Sequence, residues 1–422
     1  MRILLLFLVL LPLCAQTPVT LNLADAERLA LQNNPQYAAA RYTADASHQV
    51  PVELRGAELP QVQGAATGVG ADSGSRLAAG GLNNPIVYNR LGTGLLASQL
   101  LTDFGRTGNL IGSAKLRAEA QDQTTETTRT DILLSVARGY YGVLRAETVL
   151  KVAQETVSAR QLVSDQITAL AKNNLKSGLD VSFANVNFSD AKLLLSQSEN
   201  DLRSSEAQLS AVVNLPLETT FSLAEEPMPD ALPDQAEPLI QQALQNRPEI
   251  KAARLEQLAS EQFAKAEHAL IYPTVQAAGT AGFVPARESP VPGRYGAIGV
   301  NVTIPILNGG VFRARQTEAE LKAKAANEQL RDREILVSRD VRIAYLNART
   351  AFDRLSLTAQ LLNQARLALD LARGRYDLGL SSIIELSQAQ LNLTSAEIAD
   401  TTAHYDYQTQ RKILDYQVGV LR

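Results

Sequence analysis

From residue 274 the chain alternates: Val275, Ala277, Gly279, Ala281 and Phe283 fall on one side of an extended backbone, and Thr274, Gln276, Ala278 and Thr280 on the other. A period of two predicts a strand with one apolar face. After a turn-rich run, Val284 to Arg294, Gly296, Ile298, Val300, Val302 and Ile304 alternate with Tyr295, Ala297, Gly299, Asn301 and Thr303. The two stretches predict a hairpin with strands of about ten residues, the length that crosses a bilayer when tilted. Val275, Phe283, Ile298, Val300 and Val302 are its candidates for lipid contact. A less clean copy lies near Leu59–Gly70 and Asn89–Leu101. Four such strands cannot close a barrel, which needs about eight, and lipid does not tolerate open edges, so several chains must contribute. Alternation alone leaves open a small soluble sheet packed on helices.

Between Pro85 and Pro216, and again after Pro305, there is no proline, and uninterrupted helix is the economical reading. A helix from about Gly105 to Asn173 would be on the order of 100 Å long and needs partners along its whole length. Leu355, Thr358, Leu362, Ala365, Leu369, Ala372 and Tyr376 form a heptad seam, and Leu357, Leu361, Gln364, Ala368 and Leu371 form a second beside it. Two adjacent seams suit a helix packed on both sides, as in the wall of a cylinder; a filled bundle stays open. Each long run has one break, Asn173–Asp180 and Tyr376–Ser382, where Gly178 and Gly379 with polar residues after them signal a turn between helices.

The chain is duplicated. LQNNPQYAAAR from Leu31 and LQNRPEIKAAR from Leu244 share seven of eleven residues at an offset of 213. The offset then falls to 205, aligning Gly94, Gly105, Leu116 and Tyr140 with Gly299, Gly310, Leu321 and Tyr345, and to 201, aligning Gly178 with Gly379. Each half opens with a short helix, Ala24–Arg55 or Pro238–Leu270. The expected division is a leader at 1–15, a first repeat at 16–215, an irregular Pro- and acid-rich connector at 216–237 and a second repeat at 238–422.

Composition adds a compartment. Residues 1–15 carry one charge, Arg2, before an apolar run from Ile3 to Leu13, which reads as a secretory signal. Cleavage after Ala15 would remove the lone cysteine, Cys14, and take the formal net charge from −4 to one unit more negative; lipidation of Cys14 is the rival reading. Mild acidity with scattered charge argues against nucleic-acid binding. His48, His268 and His404 lack partners at metal-ligand spacing, and Asn308-Gly309-Gly310 lacks the Lys-Ser/Thr of a phosphate loop. No catalytic, metal or cofactor constellation emerges, so the chain is not expected to be an enzyme.

Several stretches resemble the TolC-like outer membrane factor family, the outer-membrane channels of tripartite efflux and type I secretion systems. They are Leu23–Ala30 leading into Asn33-Asn34-Pro35, its counterpart Ala243–Pro248, the corners Gln99–Arg106 and Pro305–Gly310, and the tip Tyr376–Gly379 with Glu385–Gln390. The resemblance implies an α+β membrane protein: a homotrimer whose four strands per chain build one twelve-stranded transmembrane β-barrel, continued by a periplasmic α-helical barrel. It implies a passive exit duct in the bacterial outer membrane, in contact with its lipid and served by an inner-membrane transporter and a periplasmic adaptor. The adaptor is expected at the tips, Lys176, Gly178, Leu179, Gly379, Leu380 and Ser381. Asp103, Gly105, Asn308 and Gly310 are expected at the strand-to-helix corners, as helix caps and as glycines taking an unusual backbone. Glu385 falls where family members narrow the tip with acids, although the second such position is Gln388. Tyr376 matches a tyrosine that helps hold the tip closed, but that latch's arginine position is Ser381 and its partner position Ala184. The alternative of another class is a periplasmic or surface coiled-coil scaffold.

Overall fold

The computed structural model describes residues 19–75, 86–288 and 291–421; the expected leader, Cys14 and part of each hairpin loop lie outside them. The first half runs β1 (Val19–Leu21), α1 (Leu23–Asn33), α2 (Pro35–Ser47), α3 (Gln49–Arg55), β2 (Gln61–Val69), β3 (Arg90–Thr102), α4 (Arg106–Lys172) and α5 (Gly178–Val213). After it come β4 (Phe221–Leu223), α6 (Glu237–Asn246), α7 (Pro248–His268), β5 (Thr274–Arg287), β6 (Arg294–Thr303), α8 (Val311–Asp377) and α9 (Ile383–Val418).

The expected single opening helices are broken. Pro35 and Pro248 each begin a new helix, and the residues before them, Asn34 and Arg247, are extended with ψ of 121° and 130°. A proline ring excludes the helical conformation from its predecessor. Asn34 Nδ2 donates to the Val212 carbonyl at 3.2 Å, and Arg247 Nη1 donates to Gln417 Oε1 at 2.7 Å, so both breaks are tied to the last turns of the returning helices.

The long helices repeat in length: α4 and α8 have 67 residues, and α5 and α9 have 36. The offset is therefore 205 through both tips, which corrects the expected step to 201. Left-handed backbone obeys the same offset: Phe104, Gly105, Asn174 and Asn214 correspond to Gly309, Gly310, Gly379 and Gly419, all with positive φ. Gly379 therefore matches Asn174. Gly178 is simply the first residue of α5, capped by Ser177.

The described residues fall into two compact units, one made of those within 19–39, 126–247 and 336–421, the other of those within 40–125 and 248–335. In the first, the connector expected to be irregular contains β4, which pairs in parallel with β1. Four buried side chains take up connector carbonyls: Tyr140 Oη binds Ala224 at 2.5 Å, Gln408 Nε2 binds Glu226 at 3.1 Å, Tyr407 Oη binds Asp230 at 3.0 Å and Tyr345 Oη binds Pro233 at 2.9 Å. Each bond satisfies a polar group that burial would otherwise leave unpaired. Tyr140 belongs to a buried cluster with Leu23, Ala26, Ile132, Val136, Val143, Leu209 and Phe221. Along α8 the first heptad seam buries Thr358, Ala365, Ala372 and Tyr376, whereas Leu357, Leu361 and Leu371 of the second stay exposed.

The second unit holds one antiparallel four-stranded sheet in the order β2-β3-β5-β6. β5 continues through Val284–Arg287, which sequence reading placed in the turn; these residues run past β6 and pair with β3, where Arg90 meets Arg287 and Leu91 meets Ala286. Pro285 is tolerated because the register shifts between Leu91 and Thr93, and a bulge needs no ladder hydrogen bond from it.

Candidate functional site

Register sorts the sheet into two faces. Val62, Ala97, Gly279 and Ile298 lie in one cross-strand row, Gly64, Leu95, Ala281 and Gly296 in the next, and Ala277–Val300 and Val275–Val302 continue the same face. This face is bare: Ile298 is 92% exposed and Val300 63%. All five candidate lipid-contact residues share it, with Phe283 beside Thr93 toward the hairpin loops. The opposite face carries the rows Gln61, Ser98, Ala278, Gly299 and Gln63, Leu96, Thr280, Ala297. These residues line an open concavity of about 530 Å³. A sheet that is apolar on its outer side and polar on its hollow side has the residue distribution of a water-filled transmembrane barrel.

At the corners, Phe104 and Gly105 (φ 56° and 89°) and Gly309 and Gly310 (φ 62° and 83°) turn strand into helix through consecutive left-handed residues. Asp103 Oδ2 accepts from the Thr107 N–H at 2.8 Å and from its hydroxyl at 2.6 Å. Asn308 Oδ1 accepts from the Gly310 N–H at 3.2 Å. Asp103 thus takes up an N–H in the first turn of α4, while Asn308 closes the turn itself.

At the first tip, Ser177 and Asp180 form a reciprocal capping box, and the Ser177 N–H and hydroxyl hold the Asp180 carboxyl below its usual range. Leu175 and Leu179 project into solvent, as Leu378 and Leu380 do at the second tip. Lys176 Nζ stands 3.8 Å from the centroid of the Tyr376 ring. Tyr376 is buried with Ile167, Ala184, Ile383 and Leu386, so the position whose expected carboxylate is absent, Ala184, packs against the tyrosine instead. Ser381 is half-buried. Glu385 sits at the third position of α9, where its N–H binds the Ser382 hydroxyl, and its carboxylate pairs with Arg375 at 3.0 Å. Gln388 lies on the same exposed face and donates to Asn392 at 2.9 Å. The structure thus brings Glu385 and Gln388 onto one face and puts Tyr376 on another. Sequence reading did not single out Arg375, which stands directly before Tyr376 and two residues after Arg373.

A sequence model of the outer membrane efflux protein family matches residues 27–215 and 239–419. The chain belongs to that family. Outer membrane protein TolC of Salmonella enteritidis is 25% identical over 414 residues, covering 95% of this chain and 82% of its own. The solvent efflux pump outer membrane protein SrpC of Pseudomonas putida is 23% identical over 393 residues, covering 90% and 80%. Among solved structures, the outer-membrane channel OprN superposes with a TM-score of 0.82 at 20% identity, covering 94% of this chain and 89% of that one. The fold is therefore that of outer-membrane efflux channels, and the chain is an outer-membrane efflux protein with its helical part in the periplasm.

Proposed function

We propose that three copies of the chain close into one twelve-stranded barrel continued by a cylinder of helices, and that the assembly is a passive exit duct. The observation that carries this is the sheet. Among the described residues its edges, β2 and β6, are unpaired, and nothing covers its apolar face. Neither is stable in a bilayer until other strands close the edges and lipid covers the face. The exposed second seam of α8 makes the same demand of the helices, because leucines at 357, 361 and 371 suit a neighbouring chain rather than water.

On this reading residues 16–215 and 238–422 are two copies of one structural repeat joined by 216–237. An inner-membrane transporter supplies the energy, and a periplasmic adaptor docks on the exposed leucines of the two tips. Glu385 and Gln388 line the narrow end, with Tyr376 buttressing it from behind through the apolar cluster and Lys176. The duct needs no cofactor and catalyses no reaction. The test is reconstitution: purified protein in a planar bilayer should give stable unit conductance steps from a heat-modifiable oligomer. A water-soluble monomer that leaves the bilayer silent would favour the coiled-coil scaffold instead.

A further inference from the structure

The strands are almost without charge. Across β2, β3, β5 and β6 the charged side chains are Arg90, Arg287 and Arg294, all basic and all at the hairpin-loop end of the sheet. Arg90 and Arg287 are direct cross-strand partners, and like charges placed opposite each other destabilise a sheet. Alternation puts Arg90 on the hollow face with Gly94 and Leu96. Arg287 is held there too: its Nη1 donates to the Val284 carbonyl at 3.1 Å, and its guanidinium lies so close over Gly293 that a Cβ on that residue would stand 2.8 Å from it. Arg294 instead pairs with Phe283 on the apolar face.

None of the three arginines has an ion-pair partner among the described residues, and all three are exposed. Among the described residues no acid at this end pairs with them. Glu288 accepts from Asn89 Nδ2, and its own N–H binds the Asn89 carbonyl at 3.1 Å. Asp72 is exposed in a turn closed by the Ser75 N–H on its backbone carbonyl, and its carboxylate makes no ion pair with the three arginines. By sequence, residues 76–85 and 289–290 contain no Asp or Glu. A repulsive pair, one member immobilised and both facing the hollow, is incomplete without an anion.

We propose that Arg90 and Arg287 form an anion-binding ring at the outer mouth of the duct, selecting phosphate- or carboxylate-bearing species as they leave. The inference rests on the trimeric-duct reading, in which the two residues occur three times around one axis. The other ends of the strands run through the corners into the periplasmic helices, so the hairpin-loop end faces outward. Guanidinium forks take carboxylate and phosphate oxygens two at a time, and rings of arginine give pores a preference for anions. Exposure to water and salt keeps the site weak enough to release what it binds.

The experiment is block by inorganic tripolyphosphate, added to one side of a planar bilayer of neutral lipid at low salt. Wild type, the double variant R90Q/R287Q and R294Q are compared. Tripolyphosphate on the loop side should reduce wild-type conductance, with the half-blocking concentration raised at least tenfold in R90Q/R287Q and unchanged in R294Q. If the double variant fails to insert, R90Q and R287Q singly should each raise that concentration several-fold. Equal block of wild type and the arginine variants would overturn the ring, and loss of block in R294Q alone would overturn it by moving the anion site to the lipid-facing side. A wild type that never conducts would overturn the duct reading and the ring with it, an outcome distinct from a conducting channel indifferent to tripolyphosphate.

Discussion

Arginine in place of Val300 should disrupt assembly, whereas arginine in place of its neighbour Asn301 should not. Val300 lies on the bare apolar face opposite Ala277, and Asn301 lies on the hollow face opposite Gln276. The depth follows from the strand. Arg294 and Pro305 are eleven residues apart; at about 3.4 Å per residue and a tilt near 45°, they span roughly 26 Å of the membrane normal, the height of a barrel's apolar band. Val300 is five residues from Pro305, about 12 Å by the same measure, which is close to the midplane. A lipid-facing arginine there costs about 2–4 kcal/mol, hence roughly 6–12 kcal/mol for a trimer with three copies. Asn301→Arg adds its charge to a watery surface and should stay within about 0.5 kcal/mol. The assay is the fraction of heat-modifiable oligomer recovered after refolding into vesicles across a urea series. Equal tolerance at both positions, or greater damage from Asn301→Arg, would refute the assignment of the two faces.

Other outcomes follow from the tips and the core. Gly379→Val should destabilise the second tip by about 1–3 kcal/mol because φ is +71° there, whereas Gly178→Ala should be neutral or slightly stabilising, since nothing lies within 4 Å of where its Cβ would stand; thermal dissociation of the oligomer reads both. Aspartate at Leu175 and Leu179, or at Leu378 and Leu380, should abolish export in cells while oligomer yield is kept; export that survives both pairs would move docking away from the tips. Glu385→Gln should shift the reversal potential in a salt gradient away from cations and leave assembly intact, since losing an exposed pair with Arg375 costs under about 1 kcal/mol. Glu27 carries a raised pKa, chiefly through burial, with Glu226 adding to it against Lys412 and Arg129, and its Oε1 is buried without a partner. The protonated form's stabilisation is complete below the unfolded carboxyl's range near pH 4 and is lost as pH rises through the raised folded value. Glu27→Gln should therefore raise the melting temperature at pH 7.5, with the gain vanishing at about pH 4.

Much of this was legible because the pattern is long. Ten-residue alternation fixed β6 to within a residue of Arg294–Thr303, and long proline-free runs located α4 and α8, because both signals accumulate over many positions. Errors arose where one residue decides. The opening stretches Ala24–Arg55 and Pro238–Leu270 read as single helices, yet Pro35 and Pro248 each break the helix by constraining the residue before it. The tips were misaligned because two glycines, Gly178 and Gly379, were matched by identity, although the left-handed residue of the first tip is Asn174. Asparagine reaches that conformation more readily than most residues with a side chain, so a glycine-to-glycine match was the wrong guide. The strand Phe221–Leu223 is three residues long and pairs with Val19–Leu21 about two hundred residues away, a contact with no local signature. Two heptad seams were readable, but which faces this chain's own helices and which stays bare required the packing. The same holds for the Arg375–Glu385 pair and for Lys176 over Tyr376, which join side chains across a turn or between tips.

The account stands or falls on the number of chains in the barrel, because an open sheet of four strands becomes a water-filled duct only when copies complete it. Native mass spectrometry of the assembly released gently from outer membranes into detergent counts them directly. Three chains per particle is the predicted result. A monomer, or a dimer offering only eight strands, would contradict it.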